Sequence, residues 1–151
     1  MKVYIAARFS RRHEAHALGR RLQALGHTIT SRWSLPDSDH VKPVGMSKQA
    51  ADAERQRFAV EDIEDLQAAD CCISFMQPPR DNSRGGRQVE FGYALALGHR
   101  MIIIGPRETV FHHLPGVEHY ASAEDLVDAL ITEGAAWAGV APEVGRRESQ
   151  A

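Results

Sequence analysis

The chain has 151 residues with Lys+Arg 18 against Asp+Glu 20, a net charge of -2. No block of like charges occurs, which removes the electrostatic case for nonspecific binding to nucleic acid or to a membrane and makes a small molecule the expected partner. At this length one domain buries roughly two-thirds of its unfolded surface, so a single core suffices.

Residues 2–7 form an apolar run rich in β-formers and stopped by Arg8-Phe9-Ser10-Arg11-Arg12, which predicts a first strand ending in a loop. From 11 to 25 the apolar positions Ala15, Leu18, Leu22 and Leu25 recur at helical spacing, and Gly26 is placed to end that helix. Alternation over 27–33 predicts an exposed edge strand. Residues 35–46 concentrate turn formers and read as a long loop. One amphipathic helix, or two in succession, is expected from 47 to 69, with Ala51, Phe58, Ile63 and Leu66 on its apolar face. The apolar run 71–76 predicts a buried central strand, and 77–86 a polar loop at its end.

A third helix is expected over 87–97, a very hydrophobic strand over 101–104, one helical turn over 110–114 and a short fifth strand over 117–120. Ser122 caps a last helix running to Ile131, with acidic residues in its first turn. The domain is expected to span 1–133, and 134–151 to be a disordered tail. The two cysteines, Cys71 and Cys72, are adjacent in a strand and poorly placed to pair, which suits a reducing compartment. The N-terminal apolar run is too short for a signal peptide, and none reaches the ~20 residues of a membrane span, so a soluble cytoplasmic protein is expected.

Strands alternating with helices imply parallel pairing through right-handed crossovers. The expected architecture is a single-domain α/β fold: a flavodoxin-like or Rossmann-like open parallel sheet of four or five strands, order 2-1-3-4-5, with helices on both faces. Ligands in such sheets bind beyond the carboxyl ends of the strands. There the glycine pair Gly85-Gly86 leads into Arg87 and Glu90. Glycines allow positive φ and close approach to a ligand, and a helix N-terminus favours an anion, so Glu90 is expected to stay ionised. Such a carboxylate can cap the helix, pair with an arginine, bind a cation or attack an electron-poor sugar carbon. Asp62, in the acidic stretch 61–65, is either a solvated helix residue or the acid of a carboxylate pair. His13 and His16 share a helix face but lack a third ligand at metal spacing, and neither a dinucleotide nor a P-loop motif occurs; no metal and no cofactor are expected.

The runs KVYIAARF, EDIEDLQAADCCISFM and GGRQVEFGYALALGHRMIIIG together resemble the nucleoside 2-deoxyribosyltransferase family, including its relatives that hydrolyse deoxynucleoside monophosphates. The resemblance covers roughly residues 2 to 115 and lies in the order of Asp62, Ala69-Asp70 and the E-x-G-x-A segment at Glu90. It implies that Glu90 is the nucleophile, that Asp62 protonates the departing base and later activates the acceptor, and that Tyr4 orients Glu90. It further implies a homodimer or higher homo-oligomer, in which a segment near His112, with Phe111 and His113, completes the neighbouring subunit's site. Two departures bear on the substrate. Arg8 stands where the hydrolysing relatives have a small hydroxyl residue, and His112 where they have a serine. With Arg80, Arg84 and Arg87 nearby, the substrate is expected to be a deoxynucleoside or its 5′-monophosphate, alongside a free nucleobase. Trp33 is a candidate to stack the base or to fill the core.

Overall fold

The computed structural model describes residues 1–40, 42–78 and 85–139, the last three of them without their side chains. The strands are β1 Lys2–Ala6, β2 Thr28–Ile29, β3 Cys71–Phe75, β4 Arg100–Ile104 and β5 Val117–Tyr120. All neighbours pair in parallel, in the order β2-β1-β3-β4-β5. The continuous apolar runs of β1, β3 and β4 are what a strand covered on both faces requires.

The covering helices are α1 Arg12–Ala24, α2 Lys48–Ala68, α3 Gly86–Ala96 and α4 Ala123–Gly139. α1 packs beside α4 and α2 beside α3, giving the two helical layers of the expected flavodoxin-like order. Tyr4, Ile5, Leu18, Leu22, Leu66, Ile73, Ile102, Ile103 and Leu126 are fully buried between them. α1 ends as expected at Gly26, whose φ of 87° is a left-handed conformation that glycine adopts without cost.

Three elements differ from expectation. The strand expected over 27–33 is paired only at Thr28–Ile29, and the chain then makes a 3-10 turn at Arg32–Ser34. Side chains cause this: Ser31 Oγ accepts from the Ile5 N–H (3.1 Å), and the Asp65 carboxylate takes both the Arg32 N–H (2.8 Å) and its Nε (2.7 Å). These bonds draw the backbone off the sheet toward α2. α2 itself is one unbroken helix, N-capped by Ser47 Oγ accepting from the Ala50 N–H. α4 continues beyond Ile131 to Gly139, because Ala135 and Ala136 are strong helix formers and an interior Gly134 costs only about 1 kcal/mol. Residues 134–139 are therefore helical; the rest of the expected tail, 140–151, lies outside the described residues, as do Arg80 and Arg84.

Candidate active site

The site is built where the carboxyl ends of β1 and β3 meet α2 and α3. Gly85 takes a left-handed φ of 83° and turns the chain into α3. Glu90 then comes one helical turn in, over the end of β1. The Tyr4 hydroxyl donates to Glu90 Oε1 at 2.8 Å. Asp62 approaches from α2, which packs against α3. Both carboxylates face a cavity of about 250 Å³ whose other walls are Phe9, Trp33, Phe58 and Pro43, with His40 and Lys42 at its polar margin. A largely apolar slot with aromatic walls, closed by two carboxylates, suits a planar ring bonded to an electron-poor centre.

The carboxyls are not ordinary. Burial, and then the charge of Asp62, push Glu90 up to about 8, while the Tyr4 hydrogen bond and the Arg87 charge pull the other way. Burial pushes Asp62 up to about 6, with Tyr4 opposing, and one of its oxygens, Oδ1, is buried without a hydrogen-bond partner. The Tyr4 hydroxyl, driven upward by its own burial and by both carboxylates, remains a phenol. At neutral pH the pair therefore carries one proton between its members. That differs from the expectation of a permanently ionised Glu90. The reason is position: Glu90 is the fifth residue of α3 rather than in its first turn, so the helix N-terminus does little for it, and desolvation dominates.

The other expected site residues fall in several places. Trp33 lines the cavity, but its indole N–H is tied to the Ile5 carbonyl at 2.8 Å, so it fills core space and forms a wall at once. Arg8 is exposed in the β1–α1 connection, and Gly85 and Gly86 shape the turn rather than the cavity wall. Arg87 is buried, with its guanidinium engaged by both carboxylate oxygens of Glu108 and by the Met76 sulfur. It does not line the slot. His112 is fully buried in its own chain: Nδ1 accepts from the Glu108 N–H (2.9 Å) and the Thr109 N–H (3.3 Å). That leaves Nε2–H to face Gln88 Oε1 at 3.3 Å, while the ring edge rests on Phe91. Its neighbours Val110 and Phe111 are 78% and 60% exposed.

Sequence reasoning missed Phe9 and His40 as wall residues, and read Phe58 only as a core position. Phe58 carried a usable signal, since it lies four residues before Asp62 and so shares its helix face. His40 had none: it stacks on Phe58 with ring centroids 4.2 Å apart, a contact made by a loop folding onto α2. Asp39, His40 and Glu61 come within metal-ligand spacing of one another. Arg57, however, bonds Asp39 (3.3 Å) and Glu61 (2.9 Å), so these carboxylates have a cation already and the group reads as an ion-pair clasp holding the loop to α2.

Fold and cavity together define an α/β domain with a carboxylate pair beneath an aromatic slot. No family model and no curated protein matches the sequence. Solved structures do match in shape. A 2-deoxyribosyltransferase of Bacillus psychrosaccharolyticus superposes with a TM-score of 0.63 at 16% identity, covering 85% of this chain and 91% of that one. A CMP N-glycosidase of Clostridium botulinum gives 0.56 at 17%, covering 87% and 99%. The DNA processing protein A of Helicobacter pylori, described as binding single-stranded DNA, gives 0.54 at 11%, covering 88% and 81%. At these identities the likeness is one of fold. Proteins described so differently share it that the chemistry of this chain has to be argued from its site.

Proposed function

We propose that this chain cleaves the N-glycosidic bond of 2′-deoxyribonucleosides, or of their 5′-monophosphates, through a deoxyribosyl ester of Glu90, and passes the sugar to another base or to water. The observation that carries the reading is the Tyr4–Glu90 hydrogen bond beside Asp62 under an aromatic slot. The printed descriptions of the Bacillus and Clostridium proteins, both concerned with bonds between a sugar and a base, agree with it.

The reactive form has the shared proton on Asp62 and the charge on Glu90. Tyr4, bonded to Glu90 and close to Asp62, relays that proton from one carboxyl to the other. The Glu90 carboxylate then bonds to the anomeric carbon as the carbon–nitrogen bond breaks. The bond's electron pair leaves with the base, which takes the proton from Asp62. Positive charge growing on the sugar favours ionised Glu90 at that moment. In the second half Asp62 removes a proton from the incoming base or water, whose nitrogen or oxygen displaces Glu90 from the sugar.

The exposed Val110 and Phe111 support the further reading that two copies associate, each lending this segment to the other's sugar site. Incubation with a deoxynucleoside and a second free base tests the proposal. Exchanged nucleoside is the expected product; free sugar alone marks a dedicated hydrolase, and tight binding without turnover marks a nucleotide sensor. Glu90→Ala is expected to lose at least ~10³-fold in turnover, the scale of a removed nucleophile. Unchanged turnover in that variant would sink the assignment.

A further inference from the structure

Beside the catalytic slot lies a second cavity, of about 430 Å³, lined by Phe9, Ser10, Arg12, His13 and Lys42. It shares Phe9 and Lys42 with the slot and touches neither Asp62 nor Glu90. Its polar lining is a hydroxyl, an imidazole, a guanidinium and an ammonium, and among the described residues no carboxylate pairs with the two cations. Among the described residues Arg11 pairs with Glu14, Arg21 with Glu124, Arg32 with Asp65, Arg57 with Glu61, Arg87 with Glu108 and Arg100 with Glu118, whereas Arg12, like Arg20 and Arg107, makes no such ion pair. Arg12 instead lies over the Phe9 ring, 5.3 Å from its centroid, and reaches only the His40 carbonyl, at 3.4 Å. Its guanidinium is thus set by an aromatic face at the lip of the slot, with donors left over. α1 also begins at Arg12, and its first N–H groups add to the positive field.

We infer that this cavity receives an anionic group carried by the substrate whose ring occupies the adjoining slot. The inference rests on the proposed function for what fills the slot. Anionic oxygen groups, a tetrahedral phosphate or a planar carboxylate, match a guanidinium with an ammonium beside it. The group belongs either to the sugar, as a 5′-phosphate, or to the base, as a ring carboxylate. Arg12 and Lys42 thereby take the place of Arg87, whose charge Glu108 already meets.

Calorimetry on Glu90→Gln, which removes the nucleophile, tests the inference at low ionic strength with two pairs of probes: thymidine against thymidine 5′-monophosphate, and uracil against orotate. In at least one pair the charged member is expected to bind about tenfold tighter, a preference that shrinks as salt screens the partly exposed cations. The phosphate pair places the anion on the sugar and the orotate pair on the base. Adding Arg12→Ala and Lys42→Ala should abolish the preference, and Arg12→Lys with Lys42→Arg should restore it. Equal affinities within both pairs, or a preference that survives the double alanine variant, overturns the inference. Product analysis on the parent protein separates the two claims. A charge preference without bond cleavage refutes the proposed reaction and leaves the anion site standing; cleavage without preference does the reverse.

Discussion

Glu90 and Asp62 are held in one desolvated pocket with a phenol against Glu90, so their titration is the most direct consequence of the geometry. With Asp62 near 6 and Glu90 near 8, three protonation states succeed one another. Below about 6 both carboxyls are protonated and no nucleophile exists. Above about 8 both are ionised and no acid remains to protonate the base. Turnover through the singly protonated pair therefore predicts a bell-shaped pH profile of kcat/KM with limbs near those two values. Tyr4→Phe removes the relay and a hydrogen bond to Glu90, and should lower the top of the bell more than it moves KM. A profile flat from pH 5 to 9 contradicts the shared-proton account.

At the scale of elements, α3 is fixed to the segment after β4 by a network rather than by a single bond. Arg87 and Gln88 both donate to Glu108, the latter at 3.2 Å, and Gln88 also meets His112. Glu108→Gln is expected to cost about 2 kcal/mol of stability, as for other hydrogen bonds to charged groups. It should also move the alkaline limb downward, because the Arg87 charge that opposes Glu90's high value is then less neutralised. A change in melting temperature with the limb unmoved would make this network structural only. The sequence makes α3 legible through Gly85-Gly86, since a left-handed turn is what a glycine there provides. It does not make the Arg87 partner legible: Glu108 is 21 residues away, and a buried ion pair leaves no periodic trace. Likewise the alternation over 27–33 mimics a strand, while the Asp65 carboxylate that ends it comes from α2.

At the scale of the molecule, parallel pairing of Tyr4 with Cys72 and the crossover through α2 and α3 bring together residues up to 86 positions apart in the chain. That topology follows from the βαβ alternation, and the resemblance to the deoxyribosyltransferases implies the grouping of Tyr4, Asp62 and Glu90, so their meeting could be read before any coordinates. Phe9 and His40 could not, because loops set them and loops carry no period. Among the described residues no helix is long and apolar enough to cross a membrane. The exposed segment at Val110 and Phe111 is the surface that association would cover. Phe111→Ser is expected to shift the protein toward monomer in sedimentation and to raise KM without unfolding it; unchanged sedimentation and activity would remove this segment from any shared site.

The ester on Glu90 is the central claim, and one measurement reaches it. Protein incubated with a 2-fluoro-2-deoxynucleoside, whose fluorine slows release of the sugar from the enzyme, is digested and its peptides are weighed. The account predicts one fluorosugar adduct on the peptide carrying Glu90, absent from Glu90→Ala. An adduct on another residue, or base released with no adduct at any time point, would contradict it.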